Sequence, residues 1–509
     1  MSHQSSKIEK VSSMPRPPVV AVMGHIDHGK STLLDYIRKT NTVDKEAGGI
    51  TQHLGAYEVS HTPKDGIARA ITFLDTPGHA AFQGIRARGA IVADIAVLVV
   101  SGEDGVKPQT IEALQSIKKE NLAYVVAITK IDKPQASVER TKQSLAEHEI
   151  YIEGYGGDIP CVPISSKTGE GVAELLDMIL LVADLKGVTM EADASPTGYI
   201  IESDVSKQNG ICATAIITNG ILKKGVSILA EEALALSPRL QNALGKPITE
   251  VSAGLPVRII GWSRLPRVGA PLEIAGTKRE AEERIESFRE KAAAQAKKDS
   301  AGAVSVSEKI VIPLVIKADA AGSLEALEHE IKKLETDKVR IKIIHSGMGA
   351  VSEGDAKTAL GARDAYIIGF NVPTDAQAKQ LIERDGLTAV SFDIIYKLGE
   401  WLAEKVKERT PKEKVEEVSG NARILKVFNT EKDRQILGGK VLDGELGVGN
   451  EFKIWRREAH IGKGKIRELQ KFKEKVPSVL KDAEFGTFVN STIEIMPGDR
   501  IEAFTVIER

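Results

Sequence analysis

The sequence predicts a multidomain chain that mixes α/β and β architecture, and three observations predict it. At 509 residues the chain exceeds what one hydrophobic core organises, since domains run to ~100–200 residues. Twice, from Pro18 to Lys186 and from Ile310 to Phe392, apolar runs alternate with amphipathic segments, the rhythm of strands packed under helices, which predicts a parallel sheet in the first of them. Between them, from Gly198 to Trp262, the apolar runs are short, alternating and punctuated by glycine, the pattern of a β-barrel, and the chain ends in a further β-rich module. The expected order is a disordered tail at 1–17, an α/β domain at 18–187, a β-barrel at 196–275, a helical linker at 276–308, a small α/β sandwich at 309–393, a connecting helix at 394–412 and a C-terminal β-barrel at 413–509.

Composition excludes several classes. A net charge of -2 with 28% charged and 42% hydrophobic residues describes an ordinary soluble protein, so only local clusters of charge can point to partners. Cys161 and Cys212 lie far apart in apolar runs, which argues against a disulfide framework or a zinc site and for thiols in a reducing cytoplasm. No apolar run approaches the ~18 residues of a membrane span, and the first residues lack the apolar core of a signal peptide. The expected location is cytoplasmic, with no membrane partner.

The first α/β stretch opens with PVVAVM followed by GHIDHGKST. Gly24, Gly29, Lys30 and Ser31 complete the GxxxxGK[ST] phosphate loop between a buried strand and a helix, the context the motif requires. Successive backbone N–H groups over Gly24, His25, Ile26, Asp27, His28, Gly29, Lys30, Ser31 and Thr32 cradle phosphates; Lys30 reaches the terminal phosphates and the Ser31 hydroxyl can ligate Mg²⁺. His25 and His28 read as structural, and Asp27 as a water or metal contact.

The runs ARAITFLD, DIAVLVV, AYVVAIT and IPCVPIS supply further strands, whose carboxyl ends should bear the site. After the first comes Asp75-Thr76-Pro77-Gly78-His79. Asp75 can hold Mg²⁺ through water, and Gly78, lacking a Cβ, lets its N–H approach a γ-phosphate. The third ends in Thr129-Lys130-Ile131-Asp132, where a carboxylate can accept from the guanine N1 and N2 edge while the Lys130 stem covers the base. The last is followed by Ser165-Ser166-Lys167, whose amides can meet the guanine O6. Together they argue for GTP over ATP, and for a P-loop GTPase domain.

The motifs GHIDHGKS, GGIT, DTPGH, TKID and SSK resemble those of translational GTPases. The resemblance implies that Ser31 and Thr51 bind Mg²⁺, with Thr51 in a switch that senses the γ-phosphate, that Asp75 holds the Mg²⁺ water shell, and that His79 positions the attacking water. It also implies that Ile26 and Ile50 form an apolar gate over His79. Thr129 stands where that family usually has Asn, whose amide ties the base loop to the phosphate loop.

Residues 191–197, EADASPT, read as a linker; the runs GYIIESDV, GICATAIITNG, GVSILA and PVRIIGW then suggest the barrel that follows the GTPase domain in that family. TKREAEERIESFREKAAAQAKK predicts a largely exposed helix. In the second α/β stretch, ADAAGS lacks the Lys and hydroxyl pair of a phosphate loop, and His345 reads as a turn-packing residue. IKADAAGSLEAL, IIHSGMGAVSEGDA and IIGFNV resemble the third domain of the bacterial-type translation initiation factor two family.

Residues 453–481 hold ten Lys or Arg against three Glu, with Trp455 and Phe472 interleaved. Cations suit phosphates and aromatic planes suit bases, although solvated charged faces share this composition. The resemblance to the family's last barrel assigns Lys471, Phe472, Glu484, Phe485 and Gly486 to initiator tRNA; Phe485 stands where the family commonly has Cys. The whole implies a ribosome-dependent GTPase that uses GTP and Mg²⁺, binds formylmethionyl initiator tRNA, promotes subunit joining and meets both ribosomal subunits and other initiation factors, as a monomer. A stand-alone regulatory or ribosome-assembly GTPase, and an RNA-binding module without turnover, remain alternatives at this point.

Overall fold

The computed structural model describes residues 13–40, 51–52, 54–64, 66–78, 80–206, 208–299, 309–410, 414–431 and 433–508. They form two compact units, 1–409 and 410–509.

The first unit opens on a six-stranded sheet ordered Gly55–His61, Arg69–Asp75, Val19–Gly24, Ile95–Ser101, Ala123–Thr129 and Cys161–Pro163. The last five strands are parallel, and the central ones, Val19–Gly24 and Ile95–Ser101, follow from apolar runs that bury both faces. Val20, Val22, Val97 and Val99 turn to one side, packing on Leu33, Leu34 and Ile37 of helix Lys30–Arg38 and on Leu175, Ile179 and Leu180 of helix Val172–Lys186. Ala21, Met23, Leu98 and Val100 turn to the other, against Ala90, Ala113, Leu114 and Ile117 of helices Gln83–Val92 and Pro108–Lys119. Pro108 occupies the first position of its helix, where the missing N–H costs nothing.

Two expectations need correction here. The sheet is mixed rather than parallel: Gly55–His61 pairs antiparallel with Arg69–Asp75. Its sequence, GAYEVSH, alternates polar and apolar because an edge strand needs to bury only one face. Of the expected disordered tail at 1–17, residues 1–12 lie outside the described residues, and Ser13–Pro15 is instead a strand in a short antiparallel ladder with Thr189–Glu191. Arg16 lays both guanidinium nitrogens on Asp94 at 2.7 Å, and the same carboxylate accepts the Val19 N–H at 2.8 Å. Local composition cannot announce a partner so distant in sequence.

A second sheet runs through Thr197–Ser206, Gly210–Asn219, Ser227–Ala230, Pro256–Ile260 and Pro271–Ala275 around Ile200, Ala215, Ile228, Val257, Ile259 and Trp262. The helix Lys278–Asp299 follows. The third body is a four-stranded parallel sheet ordered Val339–Met348, Ile310–Ala318, Tyr366–Phe370 and Thr388–Phe392. His345 lies on its first strand rather than in a turn, with Nε2 3.2 Å from Asp355. The helix Ile395–Arg409 ends the unit, burying Ile395, Leu398, Leu402 and Val406 at helical spacing.

In the second unit strands pair in the cycle Lys414–Glu431, Arg434–Gly447, Glu484–Ser491, Ala459–Lys471, Glu451–Arg456, Arg500–Glu508 and back to Lys414–Glu431. This closed barrel has no free edge, and encloses Ile424, Leu437, Phe452, Ile454, Ile466, Val489 and Ile501. The architecture of the chain is therefore multidomain α/β plus β. Among the described residues no helix is long and apolar enough to cross a membrane, and both cysteines are free.

Candidate functional site

The phosphate loop leaves the strand Val19–Gly24 at a glycine that nothing else can replace. At Gly24 φ is +150°, and a Cβ would meet the Val99 carbonyl oxygen at 2.4 Å. Asp27 and Gly29 also hold positive φ, at 61° and 87°, so the loop curls before helix Lys30–Arg38 begins. Lys30 Nζ donates to the carbonyls of Gly24 and His25 at 3.0 and 2.6 Å, which extends the ammonium along the inside of the loop. Burial pulls its pKa down to about 8, with Asp75 opposing the shift.

Three short oxygen-bearing side chains converge beside it. The Ser31 and Thr51 hydroxyls lie 2.8 Å apart, and Thr51 Oγ1 donates to Asp75 Oδ2 at 3.3 Å. Two hydroxyls and a carboxylate form a hard-oxygen set of the kind Mg²⁺ takes while keeping several waters, so these residues fit that ion. The turn after Asp75 is equally tight: a Cβ at Gly78 would lie 2.6 Å from Lys30 Nζ and 3.2 Å from Ile26 Cγ1. His79 and Ile50 lie outside the described residues.

On the base side, Asp132 accepts the Ser165 hydroxyl at 2.7 Å, and that bond holds its carboxyl below the usual carboxylate range. Lys130, at φ 61°, faces Glu103 at 3.5 Å. Ser165 is buried, and its hydroxyl oxygen also accepts the Thr168 N–H at 3.2 Å. The Thr129 hydroxyl donates to the His28 carbonyl at 2.6 Å; the tie between the two loops is thus made by a hydroxyl at the place where translational GTPases usually have the amide of Asn. His28 is buried, and its Nδ1 accepts the Ser101 N–H at 3.2 Å. Burial pushes its pKa down to about 4, so the imidazole is neutral. Pattern reading had no way to find the outer contacts of this loop, because Gln109, Arg86 and Glu112 sit on helices with ordinary amphipathic spacing.

In the second unit a cleft of about 680 Å³ gathers Phe472, Glu484, Phe485 and Gly486 with Leu425, Phe428 and Ile436. Phe485 forms its buried wall, at 5% exposure, and a Cβ on Gly439 would come within 2.8 Å of its ring. Phe472 does the opposite and is 90% exposed. It and Lys473 form the two-residue turn between Lys471 and Glu474, with φ of 54° and 71°. Such hairpins favour Asn-Gly at those places; holding Phe and Lys there costs of order 1 kcal/mol per residue. Lys471 stands beside the cleft, its Nζ 5.8 Å from the centroid of the Phe472 ring. Trp455, read together with Phe472 from the sequence, belongs to another part of the barrel, against Arg500 and His460.

Comparison with known proteins shows the family. The family model for the elongation factor Tu GTP binding domain matches residues 16–184, that for elongation factor G domain 2 matches 195–274, and that for translation-initiation factor 2 matches 286–403. Translation initiation factor IF-2 of Rubrobacter xylanophilus is 39% identical over 500 residues, spanning 97% of this chain and 72% of its own. The chain belongs to the translation initiation factor IF-2 family. It is a translational GTPase with a guanine-nucleotide-binding domain. Among solved structures, GDP-bound aIF5B from Aeropyrum pernix aligns with 27% identity and a TM-score of 0.47, over 96% of this chain and 92% of that one. Bacterial selenocysteine-specific elongation factor EF-Sec aligns with 22% identity and a TM-score of 0.42, over 51% of this chain and 45% of that one.

Proposed function

We propose that this initiation-factor GTPase is ribosome-dependent, carries formylmethionyl initiator tRNA on its terminal barrel and promotes joining of the ribosomal subunits. The observation that carries this reading is the cleft of the second unit. An apolar floor of Leu425, Phe428, Ile436 and Phe485 suits a methionyl side chain, Lys426 and Lys473 in the lining suit phosphates, and the exposed Phe472 offers a face for a terminal base to stack on.

At the nucleotide site, the amides of Gly24 to Thr32 and the Lys30 ammonium hold the phosphates. The Asp132 carboxylate takes the guanine N1 and N2 edge, with Lys130 over the base and the Ser165–Lys167 amides toward O6. Ser31, Thr51 and Asp75 are the residues that hold Mg²⁺, which when bound neutralises charge building on the phosphate oxygens. The Gly78 N–H and Lys30 stabilise that charge in place, and His79 orients the attacking water while Ile26 and Ile50 restrict its access. Thr51 orders its segment when a γ-phosphate is present and releases it on hydrolysis. Other initiation factors are further partners of the ribosome-bound state, and the factor acts as a monomer in the cytoplasm.

The test is GTP hydrolysis with and without ribosomes, paired with filter binding of formylated initiator and elongator tRNA. The expected result is turnover stimulated by ribosomes and retention of the initiator only. Turnover that ignores ribosomes, or equal retention of both tRNAs, would overturn the reading. His79→Ala is expected to abolish the stimulated turnover while leaving GTP binding intact.

A further inference from the structure

The helix Pro108–Lys119 directs two side chains, one turn apart, at the nucleotide site. Gln109 Oε1 accepts the Ile26 N–H at 2.9 Å. Glu112 Oε2 accepts from Arg86 Nη2 at 3.1 Å, and Arg86 Nη1 donates to the Pro77 carbonyl at 3.2 Å. Ile26 belongs to the phosphate loop, and Pro77 immediately precedes Gly78. The two segments already touch, since a Cβ at Gly78 would lie 3.3 Å from the Ile26 nitrogen.

We infer that Gln109 and the Glu112–Arg86 pair are positioning residues for GTP hydrolysis: one rigid helix sets the separation between the phosphate loop and the turn that carries Gly78. The reasoning is energetic as well as geometric. Arg86 is 2% exposed, and a buried guanidinium is costly unless its hydrogen bonds are met. Here that charge is held by a carboxylate on a different helix, and another arm of it reaches the carbonyl of the turn. Gln109 takes a backbone N–H of the loop itself, which fixes the peptide bearing the Ile26 side chain. Hydrolysis in this class of site depends on position and preset electrostatics, so a bracket of this kind governs rate more than nucleotide affinity. The inference rests on the assignment of Ile26 and Gly78 to the reacting phosphate.

Three variants of the full chain test it: Gln109→Met, of similar shape but without the acceptor oxygen; Glu112→Met, which removes the acceptor for Arg86; and Glu112→Gln, which keeps one. Single-turnover GTP hydrolysis is measured with and without ribosomes, alongside GTP affinity and melting temperature. Both Met variants are expected to lose about tenfold in rate, with GTP affinity held within about threefold; the melting temperature should stay near that of the parent for Gln109→Met and fall for Glu112→Met, whose buried Arg86 loses its carboxylate, and Glu112→Gln should recover most of the rate. Unchanged rates in both Met variants, rate and affinity falling together, or Glu112→Gln as slow as Glu112→Met would each overturn the inference. If the parent chain hydrolyses GTP but ignores ribosomes, the proposed function fails, and the rates without ribosomes still decide the bracket.

Discussion

The nucleotide site of the first unit is made of consecutive residues at the carboxyl ends of neighbouring parallel strands, whereas the cleft of the second draws its lining from Lys414–Glu431, Arg434–Gly447, Ala459–Lys471 and Glu484–Ser491, antiparallel strands of which only the first two are joined as a hairpin. The first uses main-chain N–H groups, small hydroxyls and glycines packed against backbone; the second uses large side chains whose exposure is decided by barrel geometry. The lesson is that one site depends on backbone space and short side chains in its loop, while the other depends on which ring is buried and which is presented.

The sharpest way to break this contrast is to exchange the roles of the two phenylalanines. Phe485→Ala removes a ring from the wall of the barrel core and is expected to destabilise the second unit by about 3–5 kcal/mol in urea unfolding. A loss below ~1 kcal/mol would mean the ring packs on nothing essential. In the first unit, Lys30→Ala should weaken GTP binding about 100-fold in calorimetric titration, since a charge-assisted contact to phosphate is worth about 1.5–3 kcal/mol.

Acid probes the buried side of the phosphate loop. His28 has its pKa depressed from 6.5 to about 4, so the unfolded chain binds the proton more readily. Stability from the neutral imidazole is present in full above pH 6.5 and declines as pH falls toward about 4. The first unit should therefore lose about 2 kcal/mol between pH 7 and pH 5, and His28→Gln should flatten that part of the profile in denaturant titrations.

Smaller effects refine the comparison. Thr129→Val keeps shape but removes the hydroxyl that reaches the His28 carbonyl, and should cost about 0.5–1.5 kcal/mol, read as up to about tenfold weaker GTP binding. Phe472→Ala should alter the stability of the second unit by less than ~0.5 kcal/mol, yet weaken initiator tRNA binding about tenfold, the scale of one lost stacking contact. If stability and binding fell together there, the exposed ring would be a packing residue after all.

Much of this was legible in the residues. Each apolar run of the first stretch became a strand, and Asp75 and Thr129 fell on the last residues of theirs, because period and punctuation are local properties. The strand Gly55–His61 was missed since an edge strand carries only half the apolar signal. Trp455 and Phe472 were grouped because they share a basic run, and the barrel then sent them to different surroundings.

What the sequence determined by itself is the set of chemical groups available: a GxxxxGK[ST] loop, carboxylates at strand ends, hydroxyls and an acid of the hard-oxygen kind, and a cation-rich terminal module. Motif spacing encodes that chemistry along a single stretch of backbone. Tertiary structure alone decided that the Thr129 hydroxyl reaches the His28 carbonyl, that Arg16 pairs with Asp94, and that Gln109 and Arg86 bond the loop and the turn. It also decided that Phe485 is a wall and Phe472 a tip. The physical reason is common to all of them: each contact joins residues distant in the chain, and its geometry exists only once the strands and helices that carry them have packed.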